Sequence, residues 1–125
     1  NTAVGTDPRA MWLAPDAWLV AGEGRDSGAL AARLRAARPP FAQVIDLGDG
    51  QLRLDVVGRR APQVLAKGCD LDLEAAPLGE GRCARTLFAR VPALIDVREP
   101  GLAYRVHVES SLADYLSRWF AAALR

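Results

Sequence analysis

Apolar and polar positions change their spacing several times along this chain, and each change marks an element. Leu52, Leu54 and Val56 alternate with Arg53 and Asp55, so Gln51–Val57 reads as a strand with one buried and one solvated face. The same period of two runs through Ala103–Glu109, where Tyr104, Val106 and Val108 share one face and Arg105, His107 and Glu109 the other. Toward the C-terminus the period lengthens. Leu112, Tyr115, Leu116, Trp119, Phe120 and Ala123 recur at spacings of three and four, the stripe of an amphipathic helix. Ser111 with Asp114 three residues later has the form of an acidic capping box at its start.

Shorter runs fill the rest. Residues 11–13 and 18–20 are apolar and flank Pro15-Asp16, a turn pair, which predicts a hairpin. Ser27 is placed to cap a helix over residues 28–38, which Pro39-Pro40 stops. Residues 42–47 are β-rich and precede Gly48-Asp49-Gly50, a turn signal before the strand at Gln51. A short helix follows with Pro62 in its first turn, Ala61, Val64 and Leu65 on one side, and Gly68 placed as a left-handed C-cap. Beyond the loop at 77–81, residues 83–91 and 93–98 read as strands joined at Pro92, and Pro100-Gly101 leads to the next. The resulting order, ββ-α-ββ-α-βββ-α, predicts an α+β fold, an antiparallel or mixed sheet with about three helices. Residues 1–10 are expected to be disordered or extended, and 11–125 to form a single domain.

A chain of 125 residues, 50% hydrophobic, suffices for one core and is short for two. Sixteen basic against fifteen acidic residues leave a net charge of +1, so no global field favours nucleic acid or an acidic membrane. Lys67 is the only lysine; the excess of arginine fits guanidinium recognition or an arginine-biased genome, and the alternation of arginines with acids along the chain favours the latter. Two cysteines call for no oxidising compartment, so a cytoplasmic setting is expected. No stretch approaches the roughly 20 apolar residues of a membrane span. The first residues show no signal-peptide pattern, and the missing Met leaves the natural N-terminus open.

The candidate chemistry is thin. His107 is the lone histidine and lies on the polar face of its strand without a nucleophile motif, which favours a surface or interface role over catalysis. Cys69 and Cys83 form no CxxC unit; Cys83 is expected to pack as a small hydrophobe and Cys69 to be more exposed. Asp70, Asp72 and Glu74 alternate without the glycine or closing glutamate of a calcium loop, and read as a solvated strand edge with Leu71 and Leu73 turned inward. The Gly-Glu-Gly pairs lack the frame of a dinucleotide loop. Arg59 and Arg60, at the start of the short helix, are candidates for an anion or a partner's acid. Tyr115, Trp119 and Phe120 are expected in the core, and Trp12 and Trp18 either in the core or on a partner. These residues define no catalytic or metal-binding set.

Four segments carry a resemblance: WLAPDAWL at 12–19, GRRAPQVLAKGC at 58–69, CARTL at 83–87 and SSLADYL at 110–116. In this order and spacing, from about residue 11 to the end, the chain resembles the gamma subunit of heterotetrameric sarcosine oxidase. Its layout is also similar to the tetrahydrofolate-binding domain of glycine-cleavage aminomethyltransferases. The resemblance implies an elaborated ferredoxin-like sheet and a non-catalytic accessory subunit in a bacterial complex that demethylates sarcosine oxidatively to glycine. Hydrogen peroxide and a tetrahydrofolate-bound one-carbon unit would be the other products. It further implies FAD, FMN, NAD and tetrahydrofolate on other subunits, none in this chain, and larger alpha and beta subunits with a small delta subunit as partners. Arg59, Arg60, Trp12, Trp18 and His107 are then the candidate interface or anion contacts. The alternatives are a free-standing folate or small-anion binding module, with Arg59, Arg60 and His107 around a pocket, and an assembly or repair factor of the same fold.

Overall fold

A computed structural model describes residues 2–24, 26–73 and 81–125. In chain order these form β1 (Ala3–Val4), β2 (Arg9–Ala14), β3 (Ala17–Ala21), α1 (Ser27–Ala37), β4 (Gln51–Val57), α2 (Ala61–Ala66), β5 (Cys83–Phe88), β6 (Val91–Glu99), β7 (Ala103–Glu109) and α3 (Ala113–Ala123). The strands make two antiparallel sheets, one of order β1-β2-β3 and one of order β4-β7-β6-β5. This is the expected α+β class, with the sheets antiparallel throughout.

The four-stranded sheet is the centre of the molecule because both of its faces are covered. On one face Tyr104, Val106, Val108, Ile95 and Val97 join Leu65 of α2 and Leu116 of α3, while Leu52, Leu54 and Val56 of β4 pack around them. Trp119 and Phe120 complete this side by clasping the Phe88 ring, Trp119 edge-on at 4.8 Å and Phe120 stacked at 5.5 Å. On the other face Leu94 and Cys83 meet Ala3 and Met11 of the small sheet, with Leu13, Leu19 and Ala21 packed alongside. The alternation in Gln51–Val57 and Ala103–Glu109 thus identifies the helix-facing side correctly. It marks the opposite side as solvated, and there a second sheet lies.

Several local expectations change for physical reasons. The N-terminal residues belong to the packing: Ala3 pairs with Met11, a bend at residues 6–8 reverses the chain, and β2 starts at Arg9, ahead of the expected boundary at residue 11. Helix α1 starts at Ser27 but is capped by Asp26, whose carboxylate accepts the Ala29 amide at 2.9 Å. Residues 42–47 form no strand. Gly68 is not left-handed; a Cβ there would stand 2.5 Å from the Phe88 ring, so glycine is needed for close approach. The β5–β6 reversal falls at Ala89-Arg90, with φ of 50° and 70°. Pro92 lies inside β6 opposite Leu87, at a position where β6 has not yet begun to pair with β7, which starts at Leu94. Helix α3 is entered through a 3-10 turn at Ser110–Leu112 without a side-chain cap, and Asp114 pairs instead with Arg118 at 3.0 Å. Tyr115 is 45% exposed, its hydroxyl donating to the Ala89 carbonyl at 2.7 Å. Cys69 is buried, and Asp70 to Leu73 run outside any strand with Leu73 buried and Leu71 partly so. Glu74 and most of the 77–81 loop lie outside the described residues.

Candidate functional site

Between the two sheets lies a cluster of charged side chains supplied by five segments of chain. Arg9, pointing inward from β2, makes paired hydrogen bonds of 2.7 Å to both carboxylate oxygens of the fully buried Asp96 on β6. Its remaining donors reach the carbonyls of Gly5 at 2.9 Å and Val97 at 3.2 Å. Arg98, the bulged residue of β6, lies 3.6 Å from Asp96. Arg105 on β7 bonds Asp55 of β4 at 2.8 Å and grips both carboxylate oxygens of Glu23, just after β3. Arg53 and Arg98 also face Glu23, at 3.7 and 3.9 Å. The Arg105 hydrogen bond, with the charges of Arg105, Arg53 and Arg98, holds the Glu23 carboxyl below its ordinary value against the opposing effect of burial. The cluster fastens the small sheet to the large one, since a buried charge is tolerated only where it is paired and hydrogen-bonded.

His107 belongs to this interior rather than to the surface. It stands opposite Arg53 on β4 and Leu94 on β6 and is 7% exposed. Its Nε2 is buried with no hydrogen-bond partner among the described residues. Burial, then the nearby Arg53 and Arg105 charges, push its pKa down to about 4 against the pull of Asp96 and Asp55, so at neutral pH the ring is uncharged. A histidine expected at an interface is therefore a neutral member of a sheet-to-sheet contact.

The outward face of the small sheet is where the tryptophans lie. Trp12 and Trp18 are directly paired across β2 and β3, and Ala10 pairs with both Val4 and Val20. Strand alternation therefore puts these five apolar residues on one face, opposite the inward Ala3, Arg9, Met11 and Leu19. None of the five belongs to either core, and Trp18 and Val4 are 48% and 52% exposed. A solvated antiparallel face would carry polar side chains, and apolar faces of this kind mark contact surfaces.

Arg59 and Arg60 are exposed in the turn before α2, where their guanidinium groups bond to none of the described residues. Nearby, an open groove of about 710 Å3 runs between the C-terminal end of α2, the β5–β6 turn and α3. Lys67, Asp70, Arg90, Tyr115 and Trp119 line it, although Lys67 already donates to the Ala123 carbonyl at 2.6 Å. Both cysteines are free and buried. Burial pushes both thiols above their ordinary pKa, which suits packing and not nucleophilic chemistry.

The structure thus disperses the five candidate residues. The tryptophans share one face, His107 lies between the sheets, and the arginines stand in the α2 turn. The ionic cluster escaped sequence reasoning because its members are far apart in the chain. One signal was present: Asp96 interrupts the apolar run of β6, and a carboxylate in such a run requires a buried cation.

The geometry defines a three-layer α+β domain, α2 and α3 on one side of the central sheet and a small sheet on the other, with an apolar face turned outward. The chain belongs to the sarcosine oxidase, gamma subunit family, whose model matches residues 2–124. It is 37% identical over 86 residues to sarcosine oxidase subunit gamma of Arthrobacter sp., covering 68% of this chain and 41% of that one. Against sarcosine oxidase subunit gamma of Corynebacterium sp. strain U-96 the identity is 31% over 116 residues, covering 91% and 55%. Among solved structures, a chain of the heterotetrameric sarcosine oxidase from Corynebacterium sp. U-96, in complex with pyrrole 2-carboxylate, superimposes with a TM-score of 0.84 at 28% identity, covering 98% of this chain and 63% of that one. The chain therefore spans about half the length of the curated relatives it matches. Among the described residues no helix is long and apolar enough to cross a membrane.

Proposed function

We propose that this chain acts as the accessory gamma subunit of a heterotetrameric, cytoplasmic sarcosine oxidase. In that assembly the larger alpha and beta subunits, with the small delta subunit, carry FAD, FMN, NAD and tetrahydrofolate and perform the demethylation of sarcosine. This chain contributes surface and not catalysis. The observation that carries the reading is the agreement of 98% of the chain with one chain of such a complex. The apolar outer face bearing Trp12 and Trp18 supplies a seat for a larger subunit, because exposed tryptophans are among the side chains that most often anchor subunit contacts. Co-expression with the larger subunits tests it: the expected result is a co-purifying complex, and its absence overturns the reading. Trp18→Ser is expected to weaken that complex.

A second reading, a free-standing folate or small-anion module, draws on the groove beside α2, where Lys67 and Arg90 stand near Trp119, and on the unpaired Arg59 and Arg60. Calorimetry of the isolated chain with tetrahydrofolate separates the two, since only this second reading expects binding.

A further inference from the structure

Three arginines of the central sheet converge on a single carboxylate that comes from a loop. Arg53 of β4, Arg98 of β6 and Arg105 of β7 all face Glu23, which stands between Gly22 and Gly24 after β3. Only Arg105 hydrogen-bonds this carboxylate, and it engages both oxygens. Arg53 and Arg98 stand off at 3.7 and 3.9 Å, outside hydrogen-bond range. Arg98 donates to none of the described residues, although its side chain is only 19% exposed and its Nη1 is buried. Buried guanidinium donors are normally satisfied, and Glu23 does not reach these.

The charges point the same way. Four guanidinium groups, of Arg9, Arg53, Arg98 and Arg105, meet three carboxylates, of Asp55, Asp96 and Glu23. Asp7 accepts the Glu23 amide at 3.0 Å, but it is exposed and forms no ion pair with these arginines. His107, which faces Arg53, Arg105, Asp55 and Asp96, is uncharged at neutral pH. The arginines stand on paired strands, whereas Glu23 lies outside strand and helix with its side chain 38% exposed. Its carboxylate can therefore turn into solvent without breaking a sheet hydrogen bond.

We propose that Arg53, Arg98 and Arg105 form a binding site for a phosphate group, free or carried on a small phosphomonoester, and that Glu23 is the built-in occupant which such an anion displaces. The site lies on the opposite face of the central sheet from the groove beside α2, and it goes beyond the accessory-subunit reading without depending on it. Its chemistry selects the ligand. Guanidinium groups bind phosphate through paired, charge-assisted hydrogen bonds. A tetrahedral anion presents oxygens toward several surrounding arginines at once, which the planar Glu23 carboxylate does not. With Glu23 turned out, the four guanidinium groups face only Asp55 and Asp96, and a phosphate dianion balances that excess.

Calorimetry of the full chain with inorganic phosphate, against sodium chloride of equal ionic strength, tests this on the unaltered protein, on Glu23→Gln, and on Glu23→Gln combined with Arg98→Met. Glutamine keeps an oxygen for Arg105 and removes the competing charge. Apparent affinity scales with the fraction of time a site is open, so Glu23→Gln is expected to bind phosphate about tenfold or more tightly than the unaltered chain. Adding Arg98→Met is expected to cancel that gain. Glycerol phosphate in the same titrations identifies the source: tighter binding than inorganic phosphate assigns a phosphomonoester, and weaker binding the free ion. Equal affinity of the unaltered chain and Glu23→Gln, no binding by that variant, or a gain that survives Arg98→Met overturns the site and leaves Glu23 a structural partner of Arg105. Should the variants fail to fold, NMR of the unaltered chain in excess phosphate decides. Shifts at Arg98 Nε and Glu23 support the displacement, and shifts confined to Arg59 and Arg60, or none, overturn it.

Discussion

Arg9 and Asp96 lie 87 positions apart and meet through two hydrogen bonds of 2.7 Å between the two sheets. Asp96 is fully buried and Arg9 nearly so, so each neutralises a charge that the interior would otherwise have to accept. Asp96→Asn keeps the shape but leaves a buried guanidinium without its counter-charge, and is expected to cost about 3–5 kcal/mol. Urea unfolding of the single variants and of Arg9→Met with Asp96→Leu measures the pair. The double change should cost clearly less than the sum of the two single changes, and a strictly additive result would rule out direct coupling.

His107 makes stability depend on pH. Its folded pKa of about 4 lies below the ordinary 6.5, so between these values the unfolded chain binds more protons than the folded one. Stability is then highest above pH 6.5 and falls as acid is added, by about 3 kcal/mol at pH 4 from this group, levelling off below about pH 3. His107→Leu removes the titrating ring from a site opposite Leu94. Denaturant unfolding at pH 7, 6, 5 and 4.5 should show the variant losing less stability than the unaltered protein. Parallel curves would mean that the buried ring does not set the slope.

These two groups also show what the sequence could and could not convey. Periodicity located all of the long elements, because the helix-facing sides of β4 and β7 and the stripe of α3 follow burial directly. It misassigned the other side of β7, since Arg105 and His107 look solvated until a partner from β2 or the loop after β3 covers them. Pattern reports polarity, and a polar side chain can be buried once its counter-charge arrives from elsewhere. The strand expected at 42–47 fails for the complementary reason: β propensity describes the segment, while a ladder needs a neighbour. Trp12 and Trp18 were legible as a pair flanking a turn, but only the register of β1, β2 and β3 shows the apolar face they share.

The β5–β6 turn holds Ala89 and Arg90 at φ of 50° and 70°, a left-handed conformation that costs ordinary residues roughly 1 kcal/mol each. A two-residue hairpin with both central residues left-handed favours Asn-Gly. Arg90→Gly, which leaves the buried Ala89 in place, is expected to raise stability by about 1 kcal/mol, read as an increase in Tm without a change in m-value. The Ala89 carbonyl that accepts from Tyr115 and the Ala89 amide bonded to Gly68 are main-chain groups, so the substitution preserves both. A lowered Tm would show that the Arg90 side chain contributes more than its backbone conformation costs.

Gly68 and Phe88 test how tightly the helix layer is seated. A Cβ on Gly68 would lie 2.5 Å from Cε2 and 2.9 Å from Cζ of Phe88. The ring cannot easily turn away, because Trp119 meets it edge-on and Phe120 stacks beside it. Nor can the backbone easily retreat, since the Gly68 carbonyl accepts the Ala89 amide at 2.8 Å and ties the loop to the end of β5. Gly68→Ala is therefore expected to cost about 1–3 kcal/mol through overpacking, followed by thermal unfolding with tryptophan fluorescence. Phe88→Leu removes the ring edge that the added methyl would strike, so Gly68→Ala should cost measurably less in a Phe88→Leu background than alone. If the two changes simply add, the clash is being relieved by movement elsewhere, and Gly68 is not what sets the distance between α2 and β5.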